Sequence, residues 1–172
     1  MSGIYGIDPF FTYTYDEPSY NLSSSCAETF HPSCLMAYLE KNHPKFSQIV
    51  KNTKYYVGIF SDLQFRGTLF VPRDDSISED LLRSMDINFC RRFVEYHMMD
   101  GYFPKNVLFT SPYQQLQTKI KGQYLTAAMY ELSNKKLTMV LNNASMIESY
   151  DNRIQNAFVH VISNPIPLNF FS

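Results

Sequence analysis

Tyr96 and His97 stand side by side in a helix-patterned stretch, and His160 sits between Val159 and Val161 in a strand-patterned one. Imidazole changes charge nearest neutral pH, so these are the first candidates for acid–base or ligand chemistry. Such chemistry needs a second and a third group at working distance. His31, His43, His97 and His160 have no metal-ligand spacing, and neither do Cys26, Cys34 and Cys90. There is no Gly-rich phosphate loop, no His-Glu-x-x-His and no Gly-x-Ser-x-Gly. Cys90 lies on an apolar helix face with no nucleophile signature around it. Asp74-Asp75 precedes a helical pattern, where both serve as caps and dipole partners of the following helix. Arg83 and Arg91, eight residues apart, share a helix face with Arg92 beside them, the pattern of a solvated stripe. His160 reads as a hydrogen-bonded structural histidine, and so does His97, with Tyr96 packed beneath a loop. The sequence therefore points to no enzyme, no cofactor and no metal.

These residues are positioned by two kinds of pattern. Cys34, Leu35, Tyr38 and Leu39 form one apolar helical stripe, and Phe46, Ile49 and Val50 a second after Pro44, which suits a first helical turn. Residues 55–60 read as a short helix, and Asp86 caps another with Phe89, Cys90, Phe93 and Val94 inside. Thr68-Leu-Phe-Val71 is a β-prone run closed by Pro72. Past Tyr96 the pattern turns to strands at 116–120, 124–130, 136–141, 145–147 and 158–162, with turns at Gly122, Ser133-Asn134 and Asn142-Asn143. Helices first and short strands later indicate α+β. By alternation Phe70 and Val161 are expected in one core.

Residues 1–30 differ from the rest. Pro9 and Pro18 interrupt helix, and Phe11-Thr-Tyr13-Thr-Tyr15 alternates at period two, with one aromatic and one threonine face. This is an extended aromatic arm whose Phe11, Tyr13 and Tyr15 are candidate partner-binding residues, able to add to a sheet edge. Residues 1–40 hold five acids and no Lys or Arg, whereas the remainder holds 11 acids and 15 bases. That asymmetry favours docking of the arm on a basic neighbour or on its own body.

The chain has 172 residues, 45% hydrophobic and 16% aromatic, with net charge −1. That is one globular domain with a core of its own, and the charge argues against a nucleic-acid partner. No stretch has the ~18 apolar residues of a membrane span, so no membrane insertion is expected. Residues 1–11 lack the basic and apolar regions of a secretory signal. The odd cysteine count then predicts reduced thiols, with a Cys26–Cys34 bridge left open, and the Asn21 and Asn143 sequons read as coincidence.

Several segments together resemble the fasciclin-like domain family. Thr68-Leu-Phe-Val-Pro72-Arg-Asp-Asp75-Ser-Ile77 resembles its first signature, a strand followed by an acidic cap. Asn156-Ala-Phe-Val-His160-Val-Ile162 resembles its second, near the C-terminus. Val94-Glu-Tyr96-His97-Met-Met-Asp-Gly101, Leu141-Asn-Asn-Ala144-Ser-Met-Ile147 and Phe46-Ser47-Gln-Ile49 resemble segments that accompany them. Ala157 stands where Gly is usual, Asn143 where the strand's Gly is usual, and Ser163 where Asp is usual.

The resemblance implies a fasciclin-like domain over 31–172, with helices packed on a wedge of short, mostly antiparallel strands. It implies a non-enzymatic interaction module and adds Tyr96 and His97 as candidate partner contacts, since that segment is implicated in receptor binding in adhesion members. The expected partners are other proteins, subunits of a larger assembly. A minor capsid or cement protein of a large DNA virus is one form of this, intracellular or virion-associated. The alternative is an extracellular cell-surface or matrix adhesion domain.

Overall fold

The computed structural model describes residues 34–167, so Phe11, Tyr13, Tyr15 and Cys26 lie outside the described residues. Among the described residues three helices come first: α1 (Leu35–Asn42), α2 (Pro44–Thr53) and α3 (Tyr56–Ser61). Strand β1 (Gly67–Pro72) follows, then α4 (Glu79–Ser84), α5 (Ile87–Tyr96), β2 (Met98–Met99) and α6 (Lys105–Leu108). The described residues then continue in strands alone: β3 (Tyr113–Gln117), β4 (Tyr124–Glu131), β5 (Leu137–Leu141), β6 (Ser145–Ile154) and β7 (Ala157–Ile162). The α+β class is as the sequence indicated.

The strands form one seven-stranded sheet in the order β2-β1-β7-β6-β5-β4-β3. Among the described strands only β1 and β7 run parallel; every other pair is antiparallel. All six residues of β1 are buried, because both its faces are covered. Leu69 and Val71 join the helical core with Leu39, Phe46, Phe60 and Phe93. Phe70 joins a second core on the other face with Tyr96, Leu116, Leu125, Met139 and Ile162. The expectation that Phe70 and Val161 share a core is corrected here. Phe70 lies opposite His160 and Val161 opposite Val71, so Phe70 and Val161 point to opposite faces, and Val161 is only half-buried.

Local chemistry explains the helix boundaries. Pro44 opens α2, and Ser78 and Asp86 cap α4 and α5 by accepting the Leu81 and Phe89 amides. Asp74 does not cap the helix that follows it. It lies in a 3-10 turn (Asp74–Ser76), and its Oδ1 accepts the Lys45 amide of α2 at 2.8 Å. That bond supplies the cap His43 does not make with its own side chain. Tertiary proximity thus assigned the acid to another helix, and sequence adjacency had no means to reveal it.

Strand β6 runs to Ile154, well beyond the expected 145–147. Register shifts between Ile147 and Ser149 and between Ser149 and Asn152 break the period-two pattern that identifies strands. Asn142 and Asn143 take left-handed backbone in the β5–β6 turn, which Asn tolerates where Gly is usual in the resembled family. Before β7 the left-handed residue is Gln155, and Ala157 needs no positive φ.

The cysteine expectation is also corrected. Cys34 is disulfide-bonded, whereas Cys90 is free and buried. Burial, reinforced by the Asp86 charge, raises the Cys90 thiol above its usual range and keeps it protonated.

Candidate functional site

Helix α5 delivers Tyr96 and His97 to the seam between the helices and the sheet. His97 ends the helix, its amide shared between the Phe93 and Val94 carbonyls. Its ring stacks on Phe93 at 4.3 Å between centroids. Nδ1–H donates to the Phe93 carbonyl at 2.8 Å, and Nε2 accepts the Ile166 amide at 2.9 Å, which fixes the tautomer. The His97 carbonyl accepts the Phe70 amide at 2.8 Å. One residue therefore ties the helix end, strand β1 and the segment at Ile166 together. The ring is fully buried, and desolvation lowers its pKa to about 4 although the Phe93 bond pulls the other way. It is a neutral imidazole with neither nitrogen open.

Tyr96 is equally enclosed. Its hydroxyl accepts Asn142 Nδ2–H at 3.1 Å, and Asn142 Oδ1 accepts the Thr126 amide at 2.9 Å. The helix end is thereby held to the β5–β6 turn and to β4. Both Tyr96 and His97 are 1% exposed or less, so in this conformation they support the surface rather than form it.

His160 repeats the arrangement with the opposite tautomer. Nε2–H donates to the Phe103 carbonyl at 2.7 Å, and Nδ1 accepts the Asp151 amide at 3.1 Å. Burial lowers its pKa as well. Thr68 donates to the Gly101 carbonyl at 2.7 Å and accepts the Phe103 amide at 3.0 Å. Together Thr68 and His160 pin the loop between β2 and α6. None of these rings can take a proton from a ligand without losing a structural bond. Among the described residues no group of three or more His, Cys, Asp or Glu is arranged to hold a metal ion. The basic stripe is engaged locally: Arg83 pairs with Asp80, and Arg91 pairs with Glu95 while lying 4.0 Å over the Tyr55 ring.

The open surface lies elsewhere, on the outer side of β3 and β4. Tyr113 is 57% exposed and Tyr124 51%, with Tyr130 close behind. Register places Tyr113 opposite Ala128 and Gln117 opposite Tyr124, so Tyr113, Gln115, Gln117 and Tyr124 share one face. The Tyr130 hydroxyl donates to Asn143 Oδ1 at 3.0 Å. The sequence signal for this face was the even alternation of 124–130, which marks a half-exposed strand but not which side stays open. None of these tyrosines was among the candidate site residues read from the sequence.

A family model described as the fasciclin domain matches residues 41–167. Among solved structures, a FAS1 domain pair from the insect cell adhesion molecule fasciclin I is similar at 14% identity, with a TM-score of 0.49. The similarity covers 84% of this chain and 46% of that one, so the chain spans about half the length of that structure. No curated protein matches the sequence.

Proposed function

Because this chain belongs to the fasciclin-domain family, we propose that it is a non-enzymatic module that joins proteins through its surface and its N-terminal arm. The family match carries this reading, since fasciclin domains are adhesion and protein-interaction modules. The saturated bonding of His97 and His160 supports it, because neither ring offers an open nitrogen for catalysis. In this reading residues 1–30 are the connecting arm and 31–172 the domain. Phe11, Tyr13 and Tyr15 touch the partner, and Tyr96 and His97 hold the scaffold that presents the surface. Joining subunits of a larger assembly, a minor capsid or cement role among them, is the form this takes for an intracellular or virion-associated chain. No helix among the described residues is long and apolar enough to cross a membrane.

Deleting residues 1–22 tests the reading. The truncated protein should keep its thermal midpoint and lose association with its neighbours. Loss of several kcal/mol of stability with association intact would overturn the arm's role.

One observation favours the second reading, a cell-surface or matrix adhesion domain. The disulfide at Cys34 belongs to oxidising compartments. A bridge consumes two of the three cysteines, so denatured, unreduced protein should titrate as one thiol rather than three. An intact mass carrying glycan at Asn21 or Asn143 would decide for this location.

A further inference from the structure

We propose that β3 is the acceptor edge for the N-terminal arm of a second copy of this chain, with residues 10–15 adding to the sheet beside Tyr113–Gln117. This rests on the arm-mediated joining proposed above and names its receiving surface.

Among the described residues β3 is the last strand of the sheet, with β4 on one side only. The bonds that flank the pair fix which way its backbone points. The Met129 amide donates to the Pro112 carbonyl, and the Thr118 amide to the Gln123 carbonyl. With the register Tyr113↔Ala128 through Gln117↔Tyr124, these bonds make Tyr113, Gln115 and Gln117 the non-hydrogen-bonded positions of the ladder. Gln114 and Leu116 bond to β4. The backbone groups of Gln115 and Gln117 face away from it, and no described residue meets them there. The Tyr113 carbonyl is occupied by the Ser111 hydroxyl at 2.8 Å.

An edge of this kind is usually guarded by a charge, a proline or a bulge. Tyr-Gln-Gln-Leu-Gln holds no charge and no proline, and its pairing with β4 has no register break. The arm offers a matching strand. Between Pro9 and Pro18 no proline intervenes, and Phe11, Tyr13 and Tyr15 alternate over five residues, the length of β3. Added to the edge, its aromatic side extends the face that already carries Tyr113 and Tyr124, where aromatic cross-strand neighbours stabilise a sheet.

Charge fits at both ends of this ribbon. Residues 113–141 hold four lysines against one acid, Glu131. Lys119 and Lys121 lie at the β3–β4 turn, and Lys135 and Lys136 at the β4–β5 turn; all four are exposed, with Lys119 also paired to Asp100. The arm strand is bracketed by Asp8 before it and Asp16-Glu17 after it, with no Lys or Arg in residues 1–33. Either strand direction sets acids beside lysines.

A second copy is the donor because the joining on which this proposal rests is between chains, and the acids that bracket the arm complement the lysines at this edge.

The test uses the full chain carrying the photocrosslinker p-benzoylphenylalanine in place of Tyr13, in a mixture of light and heavy isotope-labelled copies. Mixed-isotope crosslinks into residues 113–124 are expected. Same-isotope crosslinks alone would overturn the second-copy donor in favour of the chain's own arm. Crosslinks elsewhere, in a protein whose association still depends on residues 1–22, would overturn the β3 assignment and leave the joining function standing. Association unaffected by deleting residues 1–22 would overturn both. Gln115→Pro removes an outward amide without touching the β3–β4 ladder, so it should leave the thermal midpoint near wild type and weaken association at least about tenfold. Tyr13→Ser, in the arm, should weaken it similarly without affecting the domain. Unchanged association in both variants would defeat the proposal.

Discussion

Tyr96 and Tyr113 are 17 residues apart, yet Tyr96 is 1% exposed and Tyr113 57%. The first closes a helix and bonds to a turn 46 residues away; the second stands on a strand with no described strand beyond it. The Tyr96–His97 junction spends its polar groups on holding the fold. The β3–β4 face leaves backbone and tyrosines for something else to meet. Within one domain, the segment that resembles the family's receptor-binding element is buried, and the exposed tyrosines lie towards the sheet edge. The comparison is sharp because it predicts different variables: stability for one region, association for the other.

The largest effect belongs to the core beneath the junction. Phe70 is fully buried and its amide bonds His97, so Phe70→Ala should cost about 3–5 kcal/mol in chemical denaturation. A loss under 1 kcal/mol would mean that this core is not closed.

Acid should find the junction next. The folded pKa of His97 is lowered from 6.5 to about 4, so the unfolded chain binds the proton first. Its contribution is whole above pH 6.5 and fades as pH falls through 4, by about 3 kcal/mol for one group. His160 shifts in the same direction. Urea midpoints should therefore drop steeply between pH 6.5 and 4. In His97→Gln, which keeps a polar group but cannot titrate, that drop should shrink, and an identical pH profile would remove His97 as its cause.

Asp74→Ala deletes a cap made across the chain, and Asp86→Ala one made locally. Each should cost about 1 kcal/mol. Equal losses would establish that α2 depends on Asp74 as α5 does on Asp86. The smallest effect on stability is expected at the open face. Tyr113→Ser and Tyr124→Ser should change it by no more than about 0.5 kcal/mol while lowering association. A large destabilisation there would erase the contrast between the two regions.

Much of this was determined by the sequence alone. The apolar stripes at 34–39 and 46–50, Pro44 at a helix start and Asp86 as a cap all act within a few residues, and local physics decides them. The signature strands at 68–72 and 156–162 carried the family. What sequence could not decide was set by contacts between distant residues. Asp74 found its amide 29 positions upstream, because packing brought α2 beside the 3-10 turn. Phe70 and Val161 fell on opposite faces because parallel register aligns Phe70 with His160. Cys34 formed a bond that an odd count of cysteines argued against. The open face of β3 and β4 is the last such case. Alternation gives a strand two sides, but which side is covered, and whether a further strand lies beyond it, depends on strand order, and strand order is a property of the folded sheet.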